Sequence, residues 1–191
     1  MPRTEEQFAA MRTESKTRII DAALYLFSHQ GYHTTSMERI AAEAKISKGL
    51  IYNYFKSKRE LLDAIVAYGF DQIDALLAPP DENMLPTAVL RYEIENTFTA
   101  VMENFTFWKL YFALVMQPDV ISLLGDQFAN MHREQIQNMR QLLERTGALH
   151  PRRDAYVIAA LLDGIFFHYM LDPEYPLEEI RNEVIKLYCG D

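Results

Sequence analysis

Apolar residues recur at spacings of three and four along almost the whole chain, and no stretch alternates regularly between apolar and polar positions. This pattern is typical of amphipathic α-helices and not of strands. Most prolines fall at breaks in the pattern, where a helix ends because proline has no amide hydrogen to donate. We therefore predict an all-α protein with helices at about residues 14–29, 35–44, 48–55, 57–77, 86–105, 106–116, 119–146, 152–171 and 176–189.

Polar residues that can cap a helix stand at several of these predicted starts. Thr35-Ser-Met-Glu38 and Ser57-Lys-Arg-Glu60 match the capping box, in which the first side chain accepts from a backbone amide and the glutamate reaches back. Ser47 is placed to cap the short helix between them. The inner faces behind these caps are predicted to be Ile19, Ile20, Ala23, Leu24 and Phe27, then Met37, Ile40, Ala41 and Ala44, then Leu50, Ile51 and Phe55, then Leu61, Leu62, Ile65 and Val66.

The segment 78–87 is the most linker-like part of the sequence, because it combines three prolines with short polar residues. We predict a domain boundary there. Residues 1–63 form the first predicted domain and residues 80–191 the second, with a helix over about 58–77 as the connector.

Charge divides the chain in the same place. The protein has a formal net charge of -8, yet residues 1–63 carry ten Lys and Arg against eight Asp and Glu. Within residues 39–59 the imbalance sharpens to six cations against Glu43 alone. A basic patch on an acidic protein indicates a polyanionic partner that docks at one place.

The predicted second and third helices, joined by a tight turn, match a helix-turn-helix, whose second helix can enter the major groove of DNA. Lys48 lies in the first turn of helix three, where a helix already carries positive partial charge, and a phosphate would relieve that conflict. Gly49 lets a nucleic-acid backbone approach, and Asn53 could pair with adenine. The neighbouring Tyr52 and Tyr54 fit either phosphate contact or packing against helix one.

The segments Gly31-Tyr-His-Thr-Thr-Ser-Met-Glu-Arg-Ile-Ala41 and Ala44-Lys-Ile-Ser-Lys-Gly-Leu-Ile-Tyr-Asn-Tyr-Phe-Lys-Ser-Lys-Arg-Glu-Leu61 resemble the N-terminal domain of the tetracycline-repressor (TetR) family of bacterial transcriptional regulators. Asn53 departs from the histidine or tyrosine that members often have, which favours a base contact over a phosphate contact there. The resemblance implies double-stranded DNA as partner, with contacts from Thr35, Ser36, Ser47, Lys48, Gly49, Tyr52, Asn53, Tyr54 and Lys58.

Aromatic residues and methionines crowd the second predicted domain. Most of them must form its core, although such side chains also adapt to apolar guests between helices. The resemblance implies a pocket for a small effector, and these residues favour an apolar or aromatic one. The candidate lining is Phe98, Met102, Phe105, Trp108, Phe112, Met116, Phe128, Met131 and Phe167.

The segment 155–171 is apolar nearly all round, so it must be covered on two sides. It is too short, and too polar at Asp163, to be expected to cross a membrane. A second copy of the chain is the natural cover, and the resemblance implies a homodimer through the last two long helices. The candidate interface is Ala159, Ala160, Gly164, Phe167, Ile180, Val184 and Leu187.

Several classes of protein are disfavoured by what the sequence lacks. It has no Gly-x-Ser-x-Gly, phosphate-binding loop, Gly-x-Gly-x-x-Gly or His-Glu-x-x-His motif, so we expect neither an enzyme nor a cofactor or metal site. The lone cysteine excludes an internal disulfide, and the first twenty residues lack an apolar leader, which predicts a cytoplasmic protein. The resemblance implies a repressor that is released from a palindromic operator by its effector. The alternative is a protein that retains the fold without binding DNA, either a helical adaptor that binds protein or a ligand-binding protein.

Overall fold

The computed structural model describes residues 4–79, 81, 83–172 and 174–190, which form nine α-helices and no strand. The all-α prediction is confirmed, and the later helices begin and end within a few residues of their predicted limits. In chain order they are α1 (Glu5–Gln30), α2 (Met37–Glu43), α3 (Lys48–Tyr54), α4 (Lys58–Leu77), α5 (Pro86–Glu103), α6 (Phe105–Val115), α7 (Pro118–Thr146), α8 (Pro151–Leu171) and α9 (Leu177–Cys189).

The first helix begins well before the predicted residue 14. Thr4 caps it: the Thr4 hydroxyl accepts from the Gln7 amide at 3.3 Å, and the Gln7 side chain accepts from the Thr4 amide at 3.1 Å. Thr4-Glu-Glu-Gln7 is therefore a capping box. This early start of α1 is hard to predict from sequence, because the residues ahead of Ile19 carry no continuous apolar stripe.

The cap of α2 is Ser36, one residue later than predicted. The Ser36 hydroxyl accepts from the Arg39 amide at 3.2 Å. The predicted capping box at Thr35 is therefore wrong, since Thr35 is buried and its hydroxyl donates to the Gly31 carbonyl at 2.9 Å. Ser36 follows the threonine directly, and its exposed hydroxyl takes the role predicted for Thr35.

The core of the first three helices comes from the stripes that the sequence predicts. Ile19 and Phe27 of α1, Ile40 of α2 and Ile51 of α3 are all fully buried. Burial of such a side chain contributes about 1.5–3 kcal/mol each. Helix α2 packs against both α1 and α3. The stripe residue Leu50 is only half-buried, so the inner face of α3 is narrower than predicted.

The turn between α2 and α3 depends on Lys45, which has a φ of 56°. The Lys45 amide donates to Ala42 at 3.1 Å and the Ile46 amide donates to Ala41 at 2.9 Å, which closes the end of α2. A non-glycine residue in this left-handed region costs about 1–2 kcal/mol. The strained backbone at Lys45 thus sets the direction in which the chain runs from α2 into α3.

Helix α4 begins behind the second predicted capping box. The Ser57 hydroxyl accepts from the Glu60 amide at 3.1 Å, and the Glu60 carboxylate accepts from the Lys56 amide at 2.6 Å. The box is confirmed, with the glutamate reaching one residue further back than the usual partner. Leu61 and Leu62 behind it are fully buried.

The described chain divides into two compact units. The first contains the chain up to Gly69 together with Lys109–Gly125, and the second contains Phe70–Trp108 and the chain from Asp126 onward. In the first unit, the buried Tyr111 of α6 donates its hydroxyl to the Val66 carbonyl of α4 at 3.3 Å. No sequence pattern assigned the segment 109–125 to this unit.

Helix α7 is interrupted at Gly125, the last residue of the first unit. Its φ of 47° and ψ of -128° lie outside the helical region. Glycine adopts such angles at little cost because it has no Cβ. Gly125 therefore permits the interruption of the helical backbone within α7.

The core of the second unit brings together side chains of α5, α7, α8 and α9. Helix α5 packs along α9, and fully buried Leu90, Ile94 and Phe98 of α5 form its centre. The Phe98 and Phe166 rings meet edge to face, with centroids 5.2 Å apart. Many of the aromatic residues that crowd this part of the sequence are thus packing residues.

Helix α8 spans 21 residues with a mean hydropathy of 1.4, so it is long and apolar enough to cross a membrane by length and composition. Helix α8 is longer than the segment 155–171 on which the expectation was based, and a core helix of a globular protein can also be this long and apolar. Large apolar side chains on it remain exposed, as expected of a helix that needs a second cover. They are Tyr156, Val157, Phe167 and Leu171.

Candidate nucleic-acid interface

Helices α2 and α3 present a polar outer surface made of predicted site residues. Ser36, Ser47, Lys48, Gly49 and Asn53 are all exposed. Both serines also cap their helices, the Ser47 hydroxyl accepting from the Leu50 amide at 3.2 Å. Five of the nine predicted contact residues are therefore accessible to solvent on α2, on α3 or at the start of these helices, and we call this set the α2–α3 face.

The two tyrosines of α3 lie at the edges of this face. Tyr52 and Tyr54 are half-buried, whereas Ile51 before them and Phe55 after them are buried in the core. The ring of a half-buried tyrosine can pack while its hydroxyl reaches solvent. Both alternatives from the sequence, packing and contact with DNA, are compatible with this placement.

Lys48 is paired with Glu38 across the α2–α3 face. Its ammonium lies 2.6 Å from the Glu38 carboxylate, and both side chains are more than half exposed. This hydrogen bond raises the pKa of Lys48 and lowers the pKa of Glu38. The predicted phosphate ligand is thus already engaged, by an exposed partner that a phosphate can replace.

Lys58 has a different role from the predicted DNA contact. Its ammonium donates to the carbonyls of Tyr32, His33 and Thr35 at 2.7, 3.0 and 3.0 Å, and it lies 4.5 Å from the centroid of the Tyr32 ring. An ammonium has three hydrogens, and all three are used. Partial burial lowers the pKa of Lys58, while the carbonyl acceptors favour its charged form. The predicted phosphate contact is corrected to a clamp on the turn before α2.

Thr35 is also turned away from the α2–α3 face. Its residue surface is 1% exposed, and its hydroxyl lies within hydrogen-bond distance of carbonyls in and before the turn. The predicted side-chain contact with DNA has no exposed hydroxyl to make it. Thr35 instead shapes the turn that leads to the Ser36 cap.

One of the remaining cations of the basic cluster, Arg59, is paired with a carboxylate. Arg59 pairs with Asp63 at 2.8 Å, one turn further along α4, and Lys56 donates to the Tyr52 carbonyl at 3.1 Å. Arg39 and Lys45 are exposed on and beside α2. The counted excess of cations therefore overstates the charge that this region offers to a partner.

Gly49 has open space around it. A Cβ built on this residue would meet no protein atom within 4 Å. The fold therefore does not require a glycine here, although glycine is disfavoured in a helix. The close approach of DNA to Gly49 that the sequence suggests stays a prediction.

Comparison with known proteins assigns the family. Residues 19–65 match the family described as "Bacterial regulatory proteins, tetR family". The HTH-type transcriptional regulator UidR of Escherichia coli strain K12 is 26% identical over 171 residues, covering 86% of this chain and 85% of UidR. The structure of a TetR-like transcriptional regulator from Rhodococcus sp. RHA1 is similar, with a TM-score of 0.72 at 26% identity over 91% of this chain and 93% of that chain. The match places residues 19–65 in the TetR family.

The transcriptional regulator FadR from Bacillus subtilis has a similar fold, and its structure was determined in complex with stearoyl-CoA. It has a TM-score of 0.72 at 21% identity, over 92% of this chain and 98% of that chain. The matched family consists of bacterial regulatory proteins, and UidR is an HTH-type transcriptional regulator; such regulators are generally not enzymes.

The TetR-family resemblance did not reveal the residue that links the segment 109–125 to the turn before α2. The Gln117 side chain donates to the Phe27 carbonyl at 2.9 Å and accepts from the Tyr32 amide at 3.4 Å. These partners lie more than eighty residues away in the sequence. No local spacing could have pointed to Gln117, since it follows a helix as an ordinary polar residue.

The candidate effector residues are divided between the two units. Phe112 and Met116 belong to the first unit and the others to the second. A cleft of about 340 Å³ in the second unit includes Met102 beside Tyr169, Tyr175 and the start of α9. The placements range from the core to the surface: Phe98 and Trp108 are buried, Phe105, Phe112, Phe128 and Met131 are half-buried, and Met102, Met116 and Phe167 are exposed.

The candidate dimer residues are divided between surface and core. Ala160, Phe167 and Leu187 are exposed on α8 and α9, and Ala159, Gly164 and Ile180 are half-buried. Val184 belongs to the core of the second unit and is 4% exposed, so its assignment to the interface is wrong. Helical periodicity identified an apolar stripe on α9 without showing which of its residues face inward.

Proposed function

We propose that this TetR-family regulator is a cytoplasmic repressor that binds a palindromic operator as a homodimer and is released when a small, mostly apolar effector binds its second unit. The α2–α3 face carries this proposal. It presents capping serines, a lysine, an asparagine and a bare glycine on one surface, the combination that phosphate and base contacts require.

On this face, Lys48 binds phosphate and Asn53 reads a base, while the hydroxyls of Ser36 and Ser47 approach the backbone on either side. Gly49 gives the backbone room to come close. Tyr52 and Tyr54 contribute hydroxyls at the edges. Lys58 and Thr35 act behind the face, because the structure engages both of them within the turn.

Dimerisation follows from the exposed apolar side chains of α8 and α9. Phe167 is 46% exposed and Leu187 is 70% exposed. Contact of these apolar side chains with water is unfavourable in a regulator that acts as a single chain. A two-fold partner would cover the same residues on both copies. It would also hold two α3 helices at a fixed separation, which a palindromic operator requires.

The effector proposal has support of a different kind. Aromatic and methionine side chains of the second unit adapt to apolar guests, and FadR, which shares the fold, was crystallised with stearoyl-CoA. We expect acyl or aromatic compounds to raise the melting temperature of the protein and lower its affinity for the operator. A broad hydrophobic panel that changes neither quantity would contradict the effector proposal and leave DNA binding untouched.

The decisive experiment is selection of bound duplexes from a random library by the full-length chain. We expect a symmetric sequence of two half-sites, and a logarithm of affinity that falls steeply with the logarithm of salt. A protein-binding adaptor would recover no duplex, and its affinity would respond weakly to salt. That result would reject the repressor.

Paired substitutions at Lys48 and Glu38 test the phosphate contact. Lys48→Ala should weaken binding to all duplexes by a similar factor and reduce the salt slope by about one. Glu38→Gln should strengthen binding to all duplexes, because it removes the carboxylate that now holds the ammonium at 2.6 Å. Titration of each variant against the selected duplex over a salt series measures both effects. Equal slopes for Lys48→Ala and the wild type would exclude Lys48 as a phosphate ligand.

Gly49→Ala separates stability from DNA binding. The free energy of unfolding should rise by about 0.5 kcal/mol, because alanine favours the helix and the new methyl group meets nothing within 4 Å. Operator affinity should fall about tenfold, since the methyl group occupies the space left for DNA. Urea denaturation and operator titration measure the two changes. A variant that gains stability and keeps full affinity would show that DNA does not approach Gly49.

A further inference from the structure

The short turn between α1 and α2 is held from a distant part of the chain. Gln117, in the connection between α6 and α7, uses its carboxamide twice: the nitrogen donates to the Phe27 carbonyl and the oxygen accepts from the Tyr32 amide. The Phe27 carbonyl also accepts from the Gly31 amide at 3.0 Å, the bond that ends α1. Gln117 therefore binds both sides of the point at which the chain leaves α1.

Neighbouring contacts fix the same turn. The buried Tyr32 ring lies 5.2 Å from the Phe27 ring, centroid to centroid. Asp119, two residues after Gln117, lies 3.5 Å from His33. The His33–Asp119 contact is well exposed and contributes little, since water screens such pairs. The half-buried Gln117 is the stronger link, because few waters can replace its two partners.

The turn leads within a few residues to Ser36, which caps α2 and belongs to the α2–α3 face. Any shift of Tyr32 changes the direction from which the chain enters α2. Specific contacts with base edges tolerate only small displacements, whereas attraction to phosphates depends mainly on charge and distance. The position of the turn therefore affects the selectivity of binding more than its strength on arbitrary DNA.

We propose that Gln117 is a positioning residue for operator recognition, which sets the entry of α2 by holding the Phe27–Tyr32 turn. The inference rests on the proposed function, because it concerns the DNA that the α2–α3 face binds. It assigns a role in recognition to the connection between α6 and α7, outside the helix-turn-helix itself.

Gln117→Leu tests this role by removing both hydrogen bonds at similar side-chain volume. Affinity for the duplex selected by the wild type should fall about tenfold, while affinity for a random-sequence duplex stays within about twofold. Gln135→Leu is the matched control: Gln135 is a half-buried glutamine of α7 in the second unit. The control should bind both duplexes as the wild type does. Titration of the two duplexes at one salt concentration gives the ratio directly.

A second measurement does not depend on DNA. In the wild type the Tyr32 amide is hydrogen-bonded to Gln117, so its hydrogen should exchange slowly with solvent, and Gln117→Leu should accelerate that exchange by about tenfold or more. Gln117→Glu keeps the acceptor for Tyr32 but places a carboxylate oxygen against the Phe27 carbonyl. It should therefore protect Tyr32 better than leucine does.

The outcomes separate this inference from the function it rests on. If the wild type recovers no duplex, the proposed function fails and a role in recognition fails with it. If the wild type selects a duplex but Gln117→Leu lowers both affinities equally, the variant is merely less folded and the inference alone is wrong. Unchanged Tyr32 exchange in Gln117→Leu would also overturn it.

Discussion

Lys58→Met is expected to lower the free energy of unfolding by about 2 kcal/mol, because three backbone carbonyls lose a charged donor at once. Hydrogen bonds to charged groups contribute about 1.5–3 kcal/mol each when buried. Water can replace part of that contribution here, since Lys58 is only half-buried. Methionine retains most of the apolar stem, so the loss isolates the ammonium. Urea denaturation of the full chain measures it.

Lys56→Met is the matched control for this prediction. Lys56 is an exposed neighbour whose ammonium donates to one carbonyl, that of Tyr52. Its replacement should change stability by less than about 0.5 kcal/mol. The salt slope of DNA binding then identifies the role of Lys58. A slope that falls by about one in Lys58→Met, with stability unchanged, would restore the phosphate contact predicted from the sequence and remove the clamp.

Gly69→Ala is expected to destabilise the protein by about 2 kcal/mol, although alanine is the better helix former. A Cβ at this position of α4 would lie 2.4 Å from the Tyr111 ring and 2.9 Å from its hydroxyl oxygen. Tyr111 is buried and its hydroxyl donates to Val66, so the ring cannot move away without losing packing and that bond. The absence of a side chain on Gly69 thus sets the distance between α4 and α6.

A double-substitution cycle checks that explanation. Tyr111→Leu should destabilise the wild type by removing buried ring atoms, and it should relieve much of the penalty of Gly69→Ala when the two are combined. Thermal or urea unfolding of the four proteins gives the coupling. Additive losses would show that Gly69 and Tyr111 do not oppose each other. The opposite signs expected for Gly69→Ala and Gly49→Ala arise from the space around each glycine and not from helix propensity.

The pattern of apolar residues was sufficient to predict the helices, because the burial of a stripe that includes Leu61 and Leu62 depends on local spacing. Ser47 and Ser57 were also found from sequence, since a cap acts within one turn. The partners of Lys58 could not be found in this way. They lie more than twenty residues upstream, in a turn whose carbonyl directions depend on the folded backbone.

The candidate site was predicted less completely than the helices for the same reason. Exposure of Ser36 and burial of Thr35 depend on which of two adjacent hydroxyls caps α2, and the spacing suits both. Gln117 could not be recognised because its two contacts are to backbone atoms, which leave no trace in residue type. Residue identity thus indicated the candidate side chains of the site, while the orientation of those side chains could be seen only in the structure.

The pairing of Lys48 with Glu38 has a consequence for the search through a genome. Chromosomal DNA offers between about a million and about a billion arbitrary sites. Every unpaired cation on a DNA-binding protein lengthens its residence time on them. A carboxylate 2.6 Å from the ammonium makes each such encounter briefer, because a phosphate must first displace it. Only a DNA sequence that adds base contacts would offset the free energy needed to displace Glu38 from Lys48. If Lys48 is the phosphate ligand that we propose, Glu38 would weaken binding to arbitrary DNA and to the operator alike, and would so keep the protein mobile on the chromosome.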